Sequence, residues 1–423
     1  MELEQEMVYP KFTKDMKKTH TILIPSMLPI HFKLIEGVIK SEGFKAEIMQ
    51  NQGPEVVEEG LKYVHNDACY PALLVIGQFI DNLNHRDDTH NVVLLITQSG
   101  GGCRASNYIH LLRKALIKAG YEYIPVISFN ISNLEKDSAF QLTRGLILKL
   151  AAALVYGEQM MYLYNKVRSY EKNKGDAMKV VEKWQQILIK QLERGKGVLY
   201  WAQKKNLKAI ADDFDKIEII PTAKPKVGVV GEIYIKYASL GNNDLENLLI
   251  DEGAEVYVPG LFGYVLYCLY NILYDDVYYG GVSKKAKRLC KLVIWYVDKL
   301  EGIIIKSIKR TKYTPMQKFK HTKDLSEGIL DHGVKMGEGW LLTAEMMELI
   351  ETGYKNIVCA QPFGCLPNHI CGKGVIRKIK AQFPEANISP IDYDPSATRV
   401  NQENRIKLML SIARENLDEN IKL

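Results

Sequence analysis

The chain has 423 residues, 47% hydrophobic and 25% charged, with 56 Lys and Arg against 50 Asp and Glu for a net charge of +6. This is an ordinary globular composition with room for two or three domains. The charge is too small and too scattered to mark a nucleic-acid face; the densest basic run, Lys284, Lys285, Lys287, Arg288 and Lys291, has helical spacing and reads as a solvated helix face. Residues 1–18 are charged and lack an apolar targeting core, and no stretch has the uncharged length of a membrane-spanning helix. The expectation is a cytosolic protein that engages neither membrane nor nucleic acid.

Apolar runs alternate with amphipathic segments along the chain, the pattern of α/β layering. Residues 21–25 (TILIP) predict a strand, 30–42 a helix and 45–49 a second strand. A helix opening on proline follows at 71–83, and the nearly all-apolar 91–97 (NVVLLIT) has the character of a central parallel strand. Helix 105–119 and strand 123–129 complete this set. From 138 to 213 the period is helical throughout. A second α/β pattern opens at 226–230 (KVGVV) and runs through a strand at 255–258 and a Tyr-rich helical stretch to about 306. It continues with helix 340–351, strand 356–360, helix 375–383, strand 388–392 and a last helix from about 398. The expected fold is two Rossmann-like lobes with parallel sheets plus helical insertions: residues 1–137, a helical subdomain 138–223, and a second lobe 224–423. The two lobes do not align in sequence closely enough to indicate duplication.

Seven cysteines in a cytosolic chain are expected to be buried hydrophobes, ligands or nucleophiles rather than a disulfide framework. Cys69 stands just before the proline that opens a helix ("NDACYP"), Cys103 follows three glycines between strand and helix ("SGGGCR"), and Cys365 follows Gly364 in the same setting ("PFGCLP"). Loops at the carboxyl ends of parallel strands converge on one crevice. Helix N-termini favour thiolate, and glycines such as Gly101, Gly102 and Gly364 let backbone amides approach a bulky anionic ligand. Three thiolates from separate loops suit an iron–sulfur cluster with one iron open or held by another ligand. The rival is a Cys365–His369 catalytic pair, although His369 is only four residues on and more simply caps or packs. Paired CxxC zinc spacing is absent, and "GGGC" matches neither a P-loop nor GxGxxG. Cys268 and Cys290 fall on apolar helical faces and are expected to be buried, while Cys359, inside a strand, is open to either reading.

Five segments in order, "TQSGGGCRASNYIHLLRKAL", "KPKVGVVGEIYIKY", "GEGWLLTAEM", "QPFGCLPNHICGKGVIRKIK" and "ISPIDYDPSATRVNQENRIKLML", carry a family resemblance. The chain from about residue 21 resembles the C-terminal region of the large 2-hydroxyacyl-CoA dehydratase activator-type proteins. That region is similar to the cluster-bearing subunits of 2-hydroxyacyl-CoA dehydratases and to double-cubane cluster proteins. The resemblance implies an iron–sulfur cluster between the lobes, bound by Cys69, Cys103 and Cys365. A 4Fe–4S cluster and a double-cubane 8Fe–9S cluster are both open, Cys359 and Cys371 being further thiols for the larger. It implies a homo- or hetero-oligomer whose electrons come from a separate ATP-hydrolysing iron–sulfur activase, because the chain shows no ATPase domain of its own. The implied substrate is a CoA thioester whose ketyl radical expels a hydroxyl group as water; the alternative is a non-catalytic electron carrier. Glu232 ("VGEIY") and Glu338 ("GEGW") are candidate catalytic carboxylates beside glycine turns, and Arg104 is a candidate to offset cluster charge. Asn401 and Arg405, four apart on the last helix, read as structural.

Overall fold

The computed structural model describes residues 9–65, 68–98, 102–129 and 139–422. The first lobe runs β1 (Thr21–Ile24), α1 (Pro29–Ser41), β2 (Lys45–Ile48), α2 (Pro54–Tyr63), α3 (Tyr70–Asn84), β3 (Val92–Thr97), α4 (Tyr108–Ala119) and β4 (Val126–Phe129). Three helices follow: α5 (Arg144–Arg168), α6 (Asp176–Glu193) and α7 (Tyr200–Asp215). The second lobe opens with β5 (Lys226–Gly231), α8 (Ile233–Tyr237), α9 (Ser239–Asn242), α10 (Leu245–Asp251), β6 (Glu255–Tyr257), α11 (Leu261–Tyr278), α12 (Lys284–Ile308) and α13 (Phe319–Leu325). It closes with α14 (Gly339–Glu351), β7 (Asn356–Pro362), the single turn α15 (Leu366–Asn368), α16 (Ile376–Gln382), β8 (Asn387–Tyr393) and α17 (Arg399–Lys422).

The expected α/β class and two Rossmann-like lobes are present. Each lobe is a four-stranded, all-parallel sheet, ordered β2-β1-β3-β4 in the first and β6-β5-β7-β8 in the second. The two orders are the same. Absent sequence alignment therefore hid a shared topology: winding reverses after the second strand of each lobe, opening a crevice between the ends of the first and third. β3 and β5 are buried along nearly their whole length, which is why they read as continuous apolar runs. β4 begins three residues later than expected because Pro125, lacking an amide hydrogen, cannot extend the ladder.

Helix α5 joins the lobes. It packs on α1 and α6 on one side and on β6 and α11 on the other. Its Glu158 accepts a hydrogen bond from the Phe262 amide (3.1 Å) and lies 3.7 Å from the His31 ring. Farther along, Lys166 pairs with Glu255 at 3.1 Å, and Tyr170 donates to the same carboxylate at 2.7 Å. α5 is the one helix among the described residues long and apolar enough to cross a membrane, and 67% of its apolar window is buried inside the protein.

One turn sets the entrance to the second crevice. Gly231 ends β5 with φ +150°, and a Cβ there would stand 1.8 Å from the Ala360 carbonyl oxygen of β7. Only glycine lets the two strand ends come this close before the chain turns into Glu232. Gly231→Ala should therefore destabilise the protein by about 2 kcal/mol or more, since backbone rather than a flexible side chain must give way. Chemical denaturation checks this; an unchanged midpoint would show that the strand ends separate without cost.

Candidate functional site

The three loop cysteines take the same local position. Each is the N-cap of the helix that follows, in extended backbone: Cys69 before α3, Cys103 before a 3-10 turn at Arg104–Asn107, and Cys365 before α15. Cys103 and Cys365 are topological equivalents, each lying after the third strand of its lobe. Cys69 caps the helix feeding β3, and the residue capping the helix that feeds β7 is Glu338. The lobes thus present a thiol and a carboxylate at matching places.

These groups share neighbours across the junction. Cys69 and the Tyr108 hydroxyl share a hydrogen bond of 3.0 Å. Burial pushes the Cys69 thiol up to about 11; the Tyr108 bond opposes this, and the charges of Glu232 and Cys103 add to it. Burial also drives Cys365 strongly upward, with Glu338 and then Glu232 contributing. The charge of Glu232, from the second lobe, is therefore felt at both Cys69 and Cys365. The lobes also meet directly where the Gly102 amide donates to Met336 Sδ at 3.1 Å and Gln52 donates to Ser239 Oγ at 3.4 Å.

Glu338 organises the second-lobe side. One of its oxygens accepts from the Ile233 amide (2.9 Å) and the other from Asn368 Nδ2 (3.1 Å), which also lies 3.4 Å from Cys365 Sγ. Glu232 caps α8 through the Ile235 amide at 2.8 Å. Burial holds both carboxyls above their ordinary range, and Glu338 adds to the shift at Glu232. The Glu232 carboxyl, pushed up to about 8, stays protonated at neutral pH. Glu338, with hydrogen bonds to both oxygens, is the better anion, and Glu232 the better proton holder. Among the described residues Tyr234 Oη, Gln361 Oε1, Asn368 Oδ1 and Tyr393 Oη, all in the second lobe, are buried without a hydrogen-bond partner.

The remaining candidates are placed as follows. Gly364 (φ +74°) is the third residue of a turn closed by Cys365 N–H to the Pro362 carbonyl, so it is required by the turn itself. Gly102 makes the contact to Met336. Gly101 lies outside the described residues. Arg104 is exposed. Cys359 and Cys371 belong to the hydrophobic core, where Gly372 packs against Cys359 Sγ; burial raises both thiols to about 12. Cys290 is buried as expected, donating to the Leu269 carbonyl at 3.1 Å, but Cys268 is exposed, because its position on α11 faces away from the helix's packing partners. His369 follows Cys365 by one turn, its amide bonded to the Cys365 carbonyl at 3.0 Å, and its side chain is half-buried. Tyr108, Asn368 and Met336 carry no motif, and sequence reasoning passed over them.

Two surface clefts of 350 and 280 Å3 lie elsewhere, around α4, and neither is lined by a candidate residue. Among the described residues no three His, Cys, Asp or Glu side chains are grouped to hold a single metal ion. Comparison with protein-family models and with curated proteins returns no match to this chain.

The hydroxyl of Tyr108 stabilises thiolate at Cys69, and the charge of Glu232 opposes it. Tyr108→Phe should thus raise the thiol pKa further and slow Cys69 alkylation several-fold at about pH 10, while Glu232→Gln should speed it. Peptide-resolved alkylation rates read both; a Tyr108→Phe rate equal to or above that of the unaltered protein would remove the hydroxyl from this role.

Proposed function

We propose that this chain is a cytosolic iron–sulfur protein that receives low-potential electrons from an ATP-hydrolysing iron–sulfur activase. It uses them for reductive or radical chemistry of the 2-hydroxyacyl-CoA dehydratase type. The observation that carries this reading is the set of three N-cap cysteines from two lobes, with the charge of Glu232 felt at Cys69 and Cys365 and that of Cys103 felt at Cys69.

The electrostatics favour a metal ligand over a nucleophile. A reactive thiolate is made by a nearby cation or imidazolium. The groups acting most strongly on Cys69 and Cys365 are carboxylates, a phenol, amides and the Cys103 thiol, and none of these is a cation. Soft, buried thiols lacking a counter-charge suit a thiophilic cationic group, which displaces their protons on binding. A single zinc draws its sulfurs to about 2.3 Å. A cluster instead spreads its cysteines over separate irons, which agrees with thiols that share neighbours without forming a tight triad.

Cys69, Cys103 and Cys365 would hold the cluster, and three thiols suit one 4Fe–4S cluster with an open iron. Cys359, fully buried in β7, leaves the larger 8Fe–9S form the less favoured. When bound, such a cluster supplies one-electron transfer at low potential. The chain's own residues position a substrate and manage its proton. Glu338 fixes the start of α8 and the end of α15 against each other, and Glu232 holds the proton that a departing hydroxyl group requires. Of the unpartnered atoms, the Tyr234 hydroxyl can donate to a thioester carbonyl, while Gln361 Oε1 and Asn368 Oδ1 can only accept from donors on a polar ligand. A second reading, an electron carrier without its own substrate, is favoured by Phe363 and Leu366, 66% and 68% exposed on either side of Cys365, which suit cover by a partner protein.

Anaerobic reconstitution with iron and sulfide, followed by metal analysis and electron paramagnetic resonance, tests the core of the reading. Cys69→Ser, Cys103→Ser and Cys365→Ser should each lose most of the bound iron, while Cys268→Ser and Cys290→Ser retain it. Full iron content in Cys103→Ser would sink the assignment. With activase and reductant present, cluster reduction should require hydrolysable ATP. Turnover of a CoA thioester separates the enzyme from the carrier.

A further inference from the structure

The N-terminal half of α12 carries an apolar stripe that nothing among the described residues covers. Leu289, Leu292, Val293 and Tyr296 are exposed, the two leucines to 61% and 59%. Their spacing, i, i+3, i+4, i+7, is the seam by which one helix packs on another. Farther along, the helix turns inward and buries Leu300, Ile303 and Ile304. The exposed stripe therefore belongs to the protruding part of the α11–α12 hairpin.

Charge identifies the occupant. Lys284, Arg288 and Lys291 run along one side of the stripe and Lys285 stands within it; none of the four makes an ion pair among the described residues. Residues 284–297 contain no Asp or Glu. A second copy packed two-fold on this stripe sets basic rows together if antiparallel and meets no carboxylate if parallel, so self-association is opposed in both arrangements. A helix lying on an anionic membrane carries basic residues on both flanks of its apolar face. Here only one flank is charged, the other packing against α11 through Cys290 and Val297.

We infer that this face of α12 docks a partner protein that presents an amphipathic helix with an acidic flank. The inference does not depend on what the cysteines bind. The face is nonetheless tied to the thiol junction. At the hairpin tip Tyr279 donates to the Gly333 carbonyl (3.2 Å) and Asp275 pairs with Lys335. Tyr267 of α11 donates to the carbonyls of Lys335 (2.7 Å) and Gly337 (3.0 Å). The same segment, 331–337, supplies Met336 to Gly102 and leads into Glu338.

The test uses the whole chain with two labelled synthetic helices sharing one leucine seam, flanked by glutamates in the first and lysines in the second. Phosphatidylcholine vesicles with and without phosphatidylglycerol form a third arm, and light scattering reports oligomeric state. Fluorescence anisotropy should show binding of the glutamate-flanked helix only, weakened at least tenfold by Leu292→Glu and by Arg288→Glu, both at exposed positions that do not threaten folding. Equal binding of both helices, binding that survives Leu292→Glu, vesicle association through phosphatidylglycerol, or a dimer dissolved by Leu292→Glu would each overturn the proposal.

Discussion

One buried carboxylate, Glu338, determines how the second lobe's site is assembled. A carboxylate removed from water costs several kcal/mol unless its oxygens are bonded, and here both accept, one from the start of α8 and the other from Asn368 in α15. Those bonds fix the end of β5 relative to the loop after β7, the two sides of the crevice at which winding reverses. Gly231 and Gly339 make the approach possible: a Cβ at Gly339 would stand 2.3 Å from the Val334 carbonyl and 2.6 Å from the Tyr267 hydroxyl. Cys365 and Glu232 are placed as consequences of the same knot of bonds.

The shared strand order gives this arrangement a counterpart. In the first lobe the buried Gln78 of α3 accepts from the Ser26 amide at the end of β1 (3.2 Å) and donates to the Ser26 hydroxyl (2.9 Å). That is the work Glu338 does for Ile233, performed by a neutral amide between two and three turns along the equivalent helix. Freed from anchoring, the N-cap of α3 holds a thiol. The first lobe accordingly offers two soft donors, Cys69 and Cys103, and the second one soft donor together with two oxygen acids. The lobes are alike in topology and unlike in chemistry, which is why backbone equivalence left so little trace in sequence.

Much of the fold was legible because buried parallel strands are unbroken apolar runs and the helices between them are amphipathic or capped by proline and glycine. Helix α2 and the short helices α8 to α10 were not, since "PEVVEEGLKY" buries only Val56 and Gly60 and the others are single turns or little more. Cys69, Cys103 and Cys365 stood out because turn residues punctuate their loops. The groups that act on them did not. Tyr108 is the first residue of an ordinary helix, Asn368 lies within a three-residue turn, and Met336 sits in a loop without a motif; each acquires its role from contacts across 39 to 234 positions or from a buried turn. Cys268 fails for the complementary reason: an apolar helical face reads as buried whichever way it points.

The same ambiguity governs α12. Its basic run was legible as a solvated face, but an apolar stripe at helical spacing is indistinguishable in sequence from the buried face of the same helix. Only the packing of α11 against one side, and the inward turn of the helix beyond Val297, separates the stripe that is covered from the stripe that is not. The rings of Tyr274, Trp340 and Tyr267, with centroids 6.1 and 4.9 Å apart, fill the space between hairpin and α14. A packed aromatic layer resists compression. Displacement of the hairpin therefore carries α14 and the 331–337 segment with it, and with them Met336 and Glu338. A partner seated on α12 would thus bear mechanically on the groups that set the spacing between the two lobes, although it touches none of the cysteines.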